Sequence, residues 1–295
     1  MKILITGAGG QLGRDCVARL ESVHRVVACT SGELDITDRE QVDAVFRRNR
    51  PEVVINCAAY TAVDRCEEEN NRCFEVNGIG PGILAAQCRA GKARLIHIST
   101  DYVFDGNRPV PTPYCEDDPV NPLSAYGRSK LAGEMAIAES MTDYCILRTA
   151  WLYGMGGGNF LKTILRLALS RPDRPLKIVN DQFGSLTWTA RLAEQIEVLI
   201  DNRKTGIMHA TAEGFSSWFE GAVFFLRAMG VEADLGPCTT KEYPTPAHRP
   251  ANSILENKRL KNAGLNRMVP WQQDVQAFAS QNRQALLDEV QAGQG

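Results

Sequence analysis

No apolar run in this sequence comes near the roughly 18–20 residues that a membrane-spanning helix needs, so no membrane partner is expected. Charge of one sign is also missing. Lys and Arg number 33 against 35 Asp and Glu, a formal net charge of −2, which gives no basic excess for nucleic acid. Histidine is scarce: there are four, none at ligand spacing with a cysteine, which argues against a zinc site. The nine cysteines are odd in number and include no Cys-x-x-Cys pair. Cys57, Cys88 and Cys145 fall in apolar stretches. A reduced, cytoplasmic chain that uses cysteine as a small hydrophobe fits this pattern. The opening run Ile3-Leu4-Ile5 is too short for a signal peptide. No internal repeat or long linker is visible.

What is present is an ordinary globular composition, 44% hydrophobic and 23% charged over 295 residues, enough for one large domain or two moderate ones. Strands and helices alternate up to about residue 150, which predicts an α/β fold with a right-handed, doubly wound parallel sheet. Lys2–Thr6 reads as a buried strand and runs into Gly7, Gly10 and Gly13, then a helix. Glycines at a strand–helix junction let backbone approach a pyrophosphate at a helix N-terminus. The next strand, Arg25–Cys29, lacks the usual ribose-binding acid at its end, which leaves NADPH open. Asp38 or Thr37 caps a helix over Arg39–Asn49, and Asp35 and Ile36 lie towards the adenine. A third strand spans 51–59. A helix from about Glu67 is interrupted at Asn77-Gly78 and resumes until Gly91 ends it. The spacing predicts an NAD(P)-binding Rossmann domain over 1–150, with a returning segment near 176–203. A smaller, mostly helical substrate-binding part over 151–295 is interleaved with it.

Leu95–Thr100 reads as a strand that ends in two hydroxyls, Ser99 and Thr100. A Pro-rich loop leads from it to a helix that starts near Tyr126-Gly127-Arg128-Ser129-Lys130. Four residues apart, Tyr126 and Lys130 share a helix face. An ammonium beside a phenol favours the phenolate, and the pair can protonate a carbonyl as it is reduced, with Thr100 on the same oxygen. Taken alone, the pair reads equally well as surface decoration.

The motifs together are more specific. Gly7-x-x-Gly10-x-x-Gly13, Asn56-x-Ala58-Ala59, Ser99-Thr100 and Tyr126-x-x-x-Lys130 resemble the extended short-chain dehydrogenase/reductase family. Thr100-Asp101-Tyr102-Val103-Phe104-Asp105-Gly106, Arg148-Thr149-Ala150-Trp151-Leu152-Tyr153-Gly154 and Tyr243-Pro244-Thr245-Pro246-Ala247 resemble the branch that reduces dTDP-linked 4-keto-6-deoxy sugars to dTDP-L-rhamnose for cell-surface polysaccharide. The resemblance implies NADPH as cofactor, with NADH open. Gly7, Gly10, Gln11, Leu12 and Gly13 would line its pyrophosphate, and Ala58, Ala59 and Tyr60 would face it. Tyr126 would protonate the alkoxide, Lys130 would bind the nicotinamide ribose and lower the Tyr126 pKa, and Thr100 would bind the substrate oxygen. Asp101, Tyr102, Trp151 and Asn159 would meet the sugar and Arg249 the diphosphate, with Trp218 and His209 structural.

The chain departs from that branch at several positions. Leu186-Thr187 stands for Pro-Thr, Gly221 for Phe, Arg191 for a carboxylate and Asp15 for Glu. These changes put in doubt the family-type metal-assisted dimer. Mg2+ is therefore not supported by the sequence, and a homodimer stays open. The alternatives are another extended reductase or epimerase on a nucleotide sugar, or a non-catalytic regulatory subunit.

Overall fold

A computed structural model describes residues 1–170 and 174–292. Its first half alternates as the periodicity predicts: β1 Lys2–Thr6, α1 Gln11–Leu20, β2 Arg25–Cys29, α2 Arg39–Asn49 and β3 Val53–Asn56. The short helices α3 Arg65–Glu68 and α4 Asn70–Phe74 follow. Next come α5 Gly80–Gly91, β4 Arg94–Thr100, α6 Ala125–Ser140 and β5 Tyr144–Thr149. The caps explain several starts. Asp38 accepts from the Glu40 and Gln41 amides at the head of α2, and Ser124 accepts from Gly127 N at 3.1 Å at the head of α6. Each removes a backbone donor that the helix cannot satisfy itself.

The second half holds β6 Leu152–Tyr153, α7 Phe160–Ser170, β7 Leu176–Val179, β8 Phe183–Gly184 and β9 Thr187–Trp188. It continues with α8 Thr189–Asn202, β10 Gly206–His209, β11 Ser216–Ser217, α9 Trp218–Met229, β12 Leu235–Cys238, α10 Lys258–Asn262 and α11 Trp271–Ala292. The main sheet has the order β10-β5-β4-β3-β1-β2, parallel throughout. This is the doubly wound Rossmann arrangement. Ile3, Leu4, Ile5 and Ile55 are wholly buried in it, each worth about 1.5–3 kcal/mol of burial.

Three local expectations are corrected. The stretch at Asn77-Gly78 is not a break. A π-type turn over Glu75–Ile79 carries the chain into α5. It turns the buried Asn77 side chain inward, to accept from Tyr60 N at 2.8 Å and donate to Ser129 Oγ at 3.1 Å. The left-handed residue that ends α5 is Lys92, with φ 55°, not Gly91. The returning segment is also shifted. β7 pairs with β12 in a separate two-stranded sheet, because Ile178 is buried with Leu165 and Phe225. It is α8 and β10 that return: Leu192, Ile196 and Leu199 pack in the core under β1 and β3, and β10 extends the sheet beyond β5.

Two departures from the family pattern meet each other in space. A Cβ on Gly221 would stand 2.6 Å from Leu186 Cδ1, so the larger residue at 186 occupies room that the smaller one at 221 leaves. Arg191 is held by Asp274 at 3.2 Å and Glu194 at 2.5 Å.

Candidate active site

The carboxyl ends of β1, β3, β4 and β5 open into a cavity of about 600 Å³. One wall is the glycine turn. Gly7 has φ 66°, and a Cβ there would be 2.5 Å from Ala58 N. A Cβ on Gly13 would be 2.2 Å from Gly7 O. Both positions exclude a side chain because backbone passes against backbone. Gly10 caps α1 without a side-chain bond, so the helix offers free N–H groups to an anion. Gly10, Gln11, Leu12 and Gly13 line the cavity, with Cys57 and Ala59 from the loop after β3.

The other wall is the end of β4 and the start of α6. Thr100, Asp101, Tyr102, Tyr126 and Lys130 all line the cavity. Thr100 Oγ1 donates to Asp101 Oδ1 at 2.9 Å. Asp101 is buried, its Oδ2 has no partner, and burial pushes its carboxyl up to about 6. The Tyr102 ring stands edge-on to Tyr126 at 5.5 Å, and burial raises its phenol to about 12. Lys130 Nζ donates to Ile98 O at 2.6 Å and lies 3.3 Å from His97 Nε2. Burial lowers its ammonium to about 8, against the pull of Glu134, Cys57 and Cys73. The Tyr126 phenol is pushed above its ordinary value, first by burial and then by Asp101, with the Thr100 bond acting the other way. Lowering of the Tyr126 pKa by Lys130 is thus not seen in this structure. The Lys130 nitrogen is engaged by β4, and desolvation dominates.

The sugar-side residues come from the second half. Trp151 holds φ 49°, an uncommon backbone for a bulky residue, and stacks on Trp218 with centroids 3.5 Å apart at 10°. Gly184 makes this fit, since a Cβ there would be 2.5 Å from Trp151 Cε2. Trp218, expected to be structural, lines the same cavity as Trp151, Asn159 and Phe160. Nothing in its sequence surroundings separates it from the core residue Trp271. Asn159 Nδ2 donates to Gln11 Oε1 at 3.0 Å and so ties the sugar side to the glycine turn. Arg249 lies in an adjoining cavity of about 570 Å³, where it binds Asp64 Oδ2 at 2.7 Å and the Tyr102 hydroxyl at 3.3 Å.

Residues 1–284 match the family described as the RmlD substrate binding domain. The chain belongs to that family. A dTDP-4-dehydrorhamnose reductase of Mycolicibacterium smegmatis is 42% identical over 279 residues, covering 93% of this chain and 84% of that protein. The solved dTDP-4-dehydrorhamnose reductase of Clostridium acetobutylicum gives a TM-score of 0.92 at 42% identity, over 95% of this chain and 99% of that one. The Bacillus anthracis reductase, solved in complex with NADP, gives 0.91 at 37% identity, over 94% and 98%.

In this RmlD-family chain the glycine turn, the uncapped helix and buried Lys130 suit a dinucleotide phosphate and its nicotinamide ribose. Other residues expected at the cofactor stand outside the cavity. Ile36 is in the core, where a Cβ on Gly80 would be 2.8 Å from its Cδ1. Asp35 accepts from Thr37 N and Oγ1 at 2.9 and 2.7 Å. The Ala58 amide donates to Asn56 Oδ1 at 3.1 Å, and the Tyr60 hydroxyl donates to Glu69 at 2.5 Å. The end of β2 also differs from the expectation. Glu33 folds back, and its Oε2 accepts from Thr30 N and Oγ1, both at 2.8 Å. A carboxylate four residues beyond the strand therefore reaches a position that looked free of acid.

Proposed function

We propose that this chain reduces the C4 keto group of dTDP-4-dehydro-6-deoxy-L-mannose with NADPH, giving dTDP-L-rhamnose. The observation that carries the reading is full-length similarity to reductases of that name. When bound, NADPH supplies the hydride. The rest is work for the chain's own groups. Tyr126 gives its phenolic proton to the developing alkoxide. A phenol held protonated by burial is ready to donate, and a newly formed oxyanion in a dry site pulls hard on that proton. Thr100 turns its hydroxyl from Asp101 to the same oxygen, and Asp101 keeps the hydroxyl within reach. Lys130 holds the nicotinamide ribose. Trp151, Tyr102 and Asn159 pack against the sugar, with Trp218 behind Trp151. Arg249 meets the diphosphate, exchanging Asp64 for a phosphate oxygen that can accept two of its N–H bonds. Gly7 to Gly13 face the pyrophosphate, Ala58 to Tyr60 the cofactor's middle, and Asp35 and Ile36 the adenosine end.

NADPH oxidation measured against dTDP-4-keto sugars tests the reading. Net oxidation with the L-sugar is expected. No net oxidation, with the sugar inverted instead, means an epimerase, and no turnover with any such sugar means a regulatory chain. Tyr126→Phe is expected to lower kcat by about 10²–10⁴-fold while NADPH binding, read by fluorescence, is kept. Unchanged turnover in that variant removes Tyr126 from the proton step.

A further inference from the structure

His97 sits on β4, three residues before Thr100, and is completely buried. Its neighbours fix where its proton lies. Asn56 Oδ1 accepts from the Ala58 backbone N–H at 3.1 Å and from the Thr6 hydroxyl at 2.7 Å. A backbone N–H can only donate, so that end of the Asn56 amide is the oxygen and the other end is the NH₂. The NH₂ faces His97 Nδ1 at 2.9 Å and donates to it. Nδ1 therefore carries a lone pair, and the ring proton is on Nε2. An imidazolium is excluded, because it would set Nδ1–H against the NH₂. Burial likewise holds the ring well below its ordinary pKa.

The Nε2–H points at Lys130 Nζ, 3.3 Å away. An ammonium has three protons and nothing with which to accept. An amine has two protons and one lone pair. Nζ already donates to Ile98 O at 2.6 Å; accepting from His97 uses an amine's lone pair and opposes an ammonium. The remaining groups around Lys130 are Tyr126 and Glu134 on α6, Cys57 after β3 and Cys73 on α4. Glu134, Cys57 and Cys73 favour the charged form, but the Glu134 carboxylate is already taken by Ser99 and Arg148.

We propose that Asn56 and His97 are positioning residues that favour the amine form of Lys130 in the cofactor-free protein at mildly alkaline pH, so that it takes up one proton from solvent when ribose hydroxyls come beside it. The proton balance is simple: amine plus solvent proton gives ammonium, and His97 keeps its own proton throughout. The proposal rests on the reductase reading for the proton uptake on cofactor binding and not for the Lys130 titration itself, so the first measurements use the protein without cofactor or substrate.

Nitrogen-15 spectra of the His97 ring report the tautomer, and the ¹³Cε shift of Lys130 reports its titration. In the unaltered protein the ring proton is expected on Nε2, with Lys130 titrating at least two pH units below its ordinary value of about 10.4. Asn56→Asp supplies a second acceptor, draws the ring proton to Nδ1 and turns Nε2 into an acceptor for an ammonium. His97→Gln can turn its amide oxygen to Nζ, and keeps the test alive should Asn56→Asp not fold. Each is expected to raise the Lys130 proton affinity by tenfold or more. Calorimetry of NADPH binding at pH 8.5 in buffers of different ionisation enthalpy is expected to show proton uptake that both variants lose. A ring proton on Nδ1, a Lys130 titration at its ordinary value, or an unmoved titration in a folded variant overturns the proposal.

Discussion

Glycine at residue 127 sits between the site's Tyr and Lys, and its missing side chain matters more than its flexibility. A Cβ there would stand 2.2 Å from Tyr102 O, a backbone atom. Alanine favours a helix over glycine by about 1 kcal/mol, but this contact requires the first turn of α6 to move off the 101–103 turn. Gly127→Ala is therefore expected to lower both Tm and kcat, the second more, read by calorimetry and NADPH oxidation. Gly91 is the contrast. No atom lies within 4 Å of its Cβ position, and Gly91→Ala is expected to add about 0.4–1 kcal/mol with no change in turnover. Equal behaviour of the two variants would remove the steric argument. At this scale the sequence was informative where chemistry depends on residue type and short spacing. Gly10, Gly13, Thr100, Tyr126 and Lys130 do line one cavity. It took Trp218 as structural, whereas its place on the cavity depends on a left-handed Trp151, and it was silent on Glu33, whose carboxylate arrives by folding back on Thr30.

Helix α6 is the element on which the site depends, and it is tied to the sheet by a buried ion pair. Arg148 on β5 donates to Glu134 through Nε at 3.0 Å and Nη2 at 2.6 Å, and Ser99 donates to the same carboxylate at 2.5 Å. Glu134 lies one helical turn past Lys130 and two past Tyr126, so the pair fixes the face that both present. Removing one partner leaves a buried charge uncompensated, at a cost of about 3–5 kcal/mol. Arg148→Met is expected to lose that much in urea unfolding, and Arg148→Met with Glu134→Leu to lose less. A double variant less stable than the single one would contradict this. The apolar run Cys145-Ile146-Leu147 and the α6 start were readable from the sequence. The π-type turn at Glu75–Ile79 was not, because Asn77 is drawn inward by Tyr60 and Ser129, partners remote in sequence.

The molecule as a whole carries its thiols reduced and mostly buried. All nine cysteines are free. Burial, or for Cys16 a bond to Cys57, raises the pKa of Cys16, Cys29, Cys66, Cys88, Cys115, Cys145 and Cys238. Unfolding returns these thiols to about 8.5. Above that pH the unfolded chain releases protons that the folded one keeps, so stability falls as pH rises. Lys130 acts the other way. Its pKa is lowered in the fold, so between about 8 and its ordinary value the unfolded chain holds the extra proton and stability rises with pH. Several thiols outweigh one amine. Urea midpoints are expected to decline steadily from pH 8 to 10, and a flat or rising profile would show that the thiols are not shielded.

Sheet order has a consequence for how the chain is made. Strand β5 ends at Thr149, yet its outer neighbour β10 begins only at Gly206, and α8, which covers one sheet face, begins at Thr189. During synthesis the ribosome therefore releases five strands whose last edge is bare and one of whose faces is covered by α1 without α8. An unpaired edge is a template for pairing with another chain, and elongation at about 5–20 residues per second keeps it open for several seconds. The newborn protein is most vulnerable in that interval. Truncation at residue 150 would make the interval permanent, and such a fragment is expected to sediment as aggregate where the full chain stays dispersed.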